Sequence, residues 1–209
     1  MKIRAVVFDM DGVLIDAREW HYQALNQILV QFGLAISRDN HLAEFDGLPT
    51  KEKLHVISQR FGLPFSLHPF INEMKQLYTM QLIHRHCWPV FQHQYALAEL
   101  KRQGYKLAVA SNSIRNTVET MLDRSQLISW LDFILSNEDV SNAKPHPEIY
   151  STAFSLLNLK PYECLVVEDN INGIAAAKAA GAHVFAVSDP SEVTLENIQS
   201  FIKFCEEKM

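Results

Sequence analysis

The stretch Arg4-Ala5-Val6-Val7-Phe8-Asp9-Met10-Asp11-Gly12 sets four apolar residues directly against two aspartates and a glycine. An apolar run with no polar alternation suits a strand buried on both faces, and such strands belong to parallel sheets covered by helices. The same design recurs along the chain. Leu107-Ala108-Val109-Ala110 leads into Ser111-Asn112-Ser113, and Leu165-Val166-Val167 leads into Glu168-Asp169-Asn170. Phe133-Ile134-Leu135 and Val184-Phe185-Ala186-Val187 are two further runs. Helical patterns are expected at about 92–103, 114–124, 147–157, 171–180 and 194–207,. Strand alternating with helix predicts an α/β fold, a doubly wound, Rossmann-like parallel sheet.

The first and second strands are separated by about 95 residues, where a crossover needs only a dozen or so,. The intervening sequence reads as helices at about 18–32, 51–61 and 68–84, separated by Gly33, Gly47, Gly62 and Pro64,. An inserted helical cap over residues 17–83 is therefore expected, with the α/β core formed by residues 1–16 and 84–209.

In an open α/β sheet the ligand site lies beyond the carboxyl ends of the strands. That edge would gather Asp9, Asp11, Glu168 and Asp169, with Ser111, Asn112 and Lys144 beside them. Two carboxylates about 4 Å apart repel by roughly 4 kcal/mol at an effective dielectric near 20, so a cation is required. Hard oxygen ligands without His or Cys point to Mg²⁺. Lys144 and the Ser111 hydroxyl suit the remaining oxygens of a phosphate, because phosphoryl transfer asks mainly for positioning and charge neutralisation. Asp9 is the candidate nucleophile and Asp11 the candidate acid and base. Ser111, Asn112 or Ser113 could alternatively cap the helix starting near Ile114.

Asp9-x-Asp11-Gly12, Ser111, Lys144 and Glu168-Asp169, in this order across nearly the whole chain, resemble the four motifs of the haloacid dehalogenase-like superfamily. The resemblance implies an aspartyl phosphate on Asp9, with Ser111 and Lys144 on phosphate. It implies Mg²⁺ held by Asp9, the Asp11 backbone carbonyl and Asp169, with Glu168 near the metal directly or through water. The cap position, Lys144-Pro145-His146-Pro147-Glu148-Ile149-Tyr150 and the stretch Glu168 to Gly181 are similar to the subgroup of β-phosphoglucomutase and many sugar-phosphate phosphatases. The implied activity is hydrolysis of a small phosphate monoester, with the cap closing to exclude water.

Two rival readings are a β-phosphoglucomutase-like isomerase and a non-catalytic phosphate-binding regulator. His21, after Trp20, matches the place where the mutase uses a His, and it is carried as a candidate substrate-binding residue. Asp46 and Thr50 stand where the mutase pattern has Lys and Arg for a second phosphate, which weighs against that reading.

Composition narrows the remaining classes. With 48% hydrophobic and 21% charged residues, the 209-residue chain is ordinary globular material,. A net charge of −5 and no basic run argue against nucleic acid and acidic membranes as partners,. No apolar stretch of about 18 residues predicts a membrane span. Cys87, Cys164 and Cys205, odd in number and widely spaced, suit reduced thiols and a cytoplasmic setting,. The expected state is a monomer or weak homodimer acting on a small phosphate ester. His84, His86, Cys87 and His93 fit no regular zinc spacing,.

Overall fold

Five strands, β1 (Ala5–Phe8), β2 (Lys106–Ala110), β3 (Phe133–Leu135), β4 (Cys164–Glu168) and β5 (His183–Ala186), form one sheet in the order β3-β2-β1-β4-β5. Every pairing is parallel. In the computed structural model, which describes residues 2–208, β1 is the centre: Phe8 is level with Val109 of β2 and Val167 of β4. The chain winds outward from β1 through β2 to β3, then returns to lay β4 and β5 on the other side. The reversal puts the topological switch point at β1, and the crevice beyond its carboxyl end is where such sheets bind ligands.

Helices α1 (Arg18–Leu29), α2 (Arg38–Asn40), α3 (Thr50–Phe61) and α4 (His68–His86) lie between β1 and β2. After them come α5 (Phe91–Arg102), α6 (Arg115–Arg124), α7 (Glu148–Leu157), α8 (Ile171–Ala179) and α9 (Leu195–Lys208). The chain divides into two units, one running to Asp16 and resuming at Trp88, the other spanning Ala17–Cys87. Helix α4 continues to His86, past residue 83 where the sequence reading ends the cap.

In the core unit, Ala5, Val7, Ala108, Ala110, Cys164 and Val166 form one face of the sheet and pack with Ile149, Tyr150, Ala153 and Phe154 of α7 and Ala176 and Ala177 of α8. The alternate residues Val6, Phe8, Leu107, Val109, Leu165 and Val167 are equally buried. Both faces are therefore covered, which is why these strands carry no polar alternation. β5 departs from that expectation. As an edge strand it is only half-buried, and Phe185 gains its cover by stacking on Phe201 of α9, ring centroids 5.1 Å apart.

The cap unit has its own core of Leu25, Ile28, Leu29, Ile36, Phe45, Leu54, Ile57, Leu63 and Ile71. The Asn26 side chain clips the loop after α1 by donating to the Ile36 carbonyl at 2.9 Å and accepting from its amide at 2.8 Å. Phe45 is buried, whereas Phe70 is 50% exposed and meets Phe32 edge-on. A π-helical turn, His41–Phe45, follows α2 and buries His41 completely.

Burial, together with the positive charges of Lys53, His21 and Lys75, pulls the His41 imidazole from 6.5 down to about 3. The unfolded chain binds a proton there below about 6.5 while the folded cap refuses it until about 3, so stability is full above that window and falls as pH drops through it,. Urea unfolding of the wild type and His41→Phe between about pH 7 and about pH 4.5 checks this. The wild type loses more stability on acidification than the variant does; equal losses would contradict the assignment.

Candidate active site

The turn after β1 sets out the first two aspartates. Asp9 extends the ladder, its amide donating to the Val167 carbonyl at 2.9 Å. The Met10 carbonyl then accepts from the amides of Leu14 and Ile15, and the Gly12 amide donates to the Ile15 carbonyl at 2.7 Å. Gly12 has φ +89°, a backbone state that favours glycine, and a Cβ there would stand 2.0 Å from Asp169 Oδ2,. Glycine thus lets the β1 turn and the β4 end approach so closely.

Lys144, on the loop after β3, is 3% exposed. Its ammonium spends all three donors inside the protein: Asp9 Oδ1 at 2.6 Å, Glu168 Oε1 at 2.7 Å and the Ala110 carbonyl at 2.8 Å. Burial pulls its pKa down, but Asp9 and Glu168 more than reverse this and hold the ammonium charged. Asn112 braces the same residue, accepting from the Lys144 amide at 3.1 Å and donating to its carbonyl at 3.3 Å. The Lys144–Pro145 peptide is cis.

Glu168 is 1% exposed. Its Oε1 also accepts from the Tyr150 hydroxyl at 2.7 Å, and Oε2 accepts from the amides of Asp169 at 3.0 Å and Asn170 at 3.1 Å. A Cβ on Gly173 would fall 1.6 Å from Oε1, so α8 can seat against this carboxylate only with glycine at that position. Asp9, Glu168 and Asp169 present carboxylate oxygens within 4.8 Å of one another.

Burial pushes the Asp9 carboxyl well above the usual carboxylate range; Lys144 pulls it down, while Glu168, Asp169 and Asp11 push it up. Three carboxylates against the one ammonium of Lys144 leave an excess of two negative charges if all ionise. Such an all-oxygen, electron-rich group fits a hard divalent cation.

Asp11 Oδ2 accepts from the Ser113 hydroxyl at 2.8 Å. Ser111 is buried, and its Oγ accepts from the Ser113 amide at 3.0 Å. The N-cap of the next helix is Ile114, which supplies no side-chain bond, and the Arg115 amide goes to Glu138 at 2.6 Å. His21 belongs to the cap unit, where Lys75 Nζ donates to its Nδ1 at 3.2 Å. Tyr150, Ser113 and Gly173 support the site in ways that the sequence reading did not assign to them, Ser113 having been read only as a possible helix cap. Of the histidines weighed against a zinc spacing, His93 bonds the Pro190 carbonyl at 2.9 Å and His86 stacks on Trp20.

A family model described as haloacid dehalogenase-like hydrolase matches residues 6–187. The chain belongs to this family. Its haloacid dehalogenase-like sequence is 31% identical over 182 residues to a phosphorylated carbohydrates phosphatase of Thermotoga maritima, covering 86% of this chain and 82% of that one. It is also 31% identical over 208 residues to the pyrophosphatase PpaX of Bacillus mycoides, covering 90% and 85%. Among solved structures, CbbY from Rhodobacter sphaeroides in complex with phosphate superposes with a TM-score of 0.77 at 27% identity, covering 87% of this chain and 84% of that one. A β-phosphoglucomutase from Clostridium difficile gives 0.83 over 97% and 98% of the two chains at 24% identity, a likeness of fold.

In this haloacid dehalogenase-like core, Tyr150→Phe removes one donor from a fully buried carboxylate while keeping the ring. Urea titration of the variant is expected to show a loss of about 1–3 kcal/mol. An unchanged unfolding free energy would mean the hydroxyl does not support Glu168.

Proposed function

We propose that the protein is a Mg²⁺-dependent phosphatase that hydrolyses small-molecule phosphate monoesters through an aspartyl phosphate on Asp9. The observation that carries this reading is the buried pairing of Lys144 with both Asp9 and Glu168, set beside Asp169. It supplies a nucleophile, a fixed cation and an oxygen-lined place for a second cation at the carboxyl edge of β1. The relatives named as phosphatases support the same class.

In the first half-reaction an Asp9 carboxylate oxygen bonds to phosphorus as the bond to the ester oxygen breaks. The Asp11 carboxyl gives its proton to that leaving oxygen. In the second half-reaction water bonds to phosphorus, Asp11 takes its proton, and the bond from phosphorus to Asp9 breaks to release inorganic phosphate. Lys144, exchanging its bond to Asp9 Oδ1 as that carboxylate attacks, and the Ser111 hydroxyl hold phosphoryl oxygens, and Asn112 fixes the loop that carries Lys144. Asp9, Asp169 and the Asp11 carbonyl would hold Mg²⁺, whose chemistry is to neutralise charge on the transferring group. Glu168 is assigned to orienting Lys144, since both of its oxygens already accept from the protein.

Free, buried Cys87, Cys164 and Cys205 support a cytoplasmic setting,. Among the described residues no helix is long and apolar enough to cross a membrane. A monomer or weak homodimer is proposed. A regulator without catalysis is disfavoured by the presence of both Asp9 and Asp11. The mutase reading draws on fold likeness and on His21.

Phosphate release from a panel of sugar, nucleotide and short-acid phosphates, with and without Mg²⁺, tests the reading beside Asp9→Asn. Release that needs Mg²⁺ and falls at least about 10³-fold in the variant is expected. Conversion of β-glucose 1-phosphate to glucose 6-phosphate without release would favour the mutase instead.

A further inference from the structure

Tyr150, on α7, is completely buried, and the reaction above gives it no part. Its ring belongs to the core beside Ala153 and Leu157 and stacks on Phe154, centroids 6.5 Å apart, a packing role that phenylalanine would fill as well. The hydroxyl is different, because burying it is costly unless it finds a partner. That partner is Glu168 Oε1 at 2.7 Å, the same oxygen that accepts from Lys144 at 2.7 Å. With the Asp169 and Asn170 amides on Oε2, each oxygen of Glu168 accepts twice, and a carboxylate has only about four such places,. The Lys144 ammonium also lies over the Tyr150 ring, 4.8 Å from its centroid, within reach of a cation–π contact,. Tyr150 thus meets Lys144 twice, directly by its ring and through Glu168 by its hydroxyl.

Of the three acceptors of Lys144, only Asp9 Oδ1 has to be given up when that carboxylate attacks phosphorus. The ammonium then turns to a phosphoryl oxygen while Glu168 and the Ala110 carbonyl retain it. Ala110 is backbone fixed in β2, whereas Glu168 is a side chain whose direction is set by what it accepts. Resting on the phosphatase reading and deepening it, we infer that Tyr150 is a positioning residue for phosphoryl transfer. By locking Glu168 and backing the ammonium with its ring, it confines Lys144 to the arc between Asp9 and the phosphoryl oxygen. Its effect belongs to the transition state, where Lys144 meets the transferring group, and not to the docking of the ester.

Titration calorimetry in Mg²⁺ reads this without turnover, using orthovanadate, which takes up the five-coordinate geometry of the transferring group, against inorganic phosphate, which does not. The wild type is expected to bind vanadate more tightly than phosphate. In Tyr150→Phe, which keeps the ring, that ratio is expected to fall about 10-fold, the low end for a lost hydrogen bond to a charged group. Tyr150→Leu, which loses the ring as well, lowers it further. In turnover, kcat of Tyr150→Phe falls in parallel while KM stays within about threefold. Because each ratio is taken within one protein sample, partial misfolding does not imitate the effect. A ratio unchanged in Tyr150→Phe, equal losses on both ligands, no vanadate preference in the wild type, or a wild-type ratio regained at higher Mg²⁺ would overturn the inference. Phosphate release by the wild type tests the phosphatase reading separately: a vanadate preference lost with the hydroxyl supports the inference even where the wild type transfers phosphate without releasing it.

Discussion

The structure of the site depends on one shared cation. Lys144 arrives from the loop after β3 and donates at once to Asp9 beyond β1, Glu168 at the end of β4 and the Ala110 carbonyl at the end of β2. Neither carboxylate is stable in so buried a position alone, and deleting one partner of such an arrangement costs about 3–5 kcal/mol because a charge is left behind. The ammonium therefore fixes where the Asp9 carboxylate, the proposed nucleophile, points. It also obliges the three strand ends to lie adjacent, as the order β2-β1-β4 provides.

Around that cation the protein spends further polar groups on geometry. Tyr150 and two backbone amides hold Glu168, Asn112 grips the Lys144 backbone, and the Ser113 hydroxyl donates to Asp11. Glycines 12 and 173 are needed because two carboxylates occupy the space a Cβ would fill.

The sheet was legible because its central strands are uninterrupted apolar runs that end in chemistry-bearing residues. The strands buried on both faces matched that pattern; β5 did not, since nothing in Val184-Phe185-Ala186 tells an edge from a centre. Asp9, Lys144, Glu168 and Asp169 could be placed together from strand ends alone. Tyr150 and Gly173 could not, because their roles come from α7 and α8 packing on the sheet, and a tyrosine or glycine in a helix carries no local sign of this. In the cap the helices were readable from their apolar spacing, but the contact of Lys75 with His21 depends on how α1 and α4 pack, and Lys residues on a helix ordinarily read as solvated.

The central claim is that phosphorus becomes bonded to Asp9. Rapid quenching during turnover, reduction with sodium borohydride and peptide mass spectrometry test it most directly, because an aspartyl phosphate is reduced to homoserine while a free carboxylate is untouched. Homoserine at position 9, formed only when substrate is present, is the predicted result. Phosphate release with Asp9 recovered wholly as aspartate, or with the reduced residue elsewhere in the chain, would contradict the account.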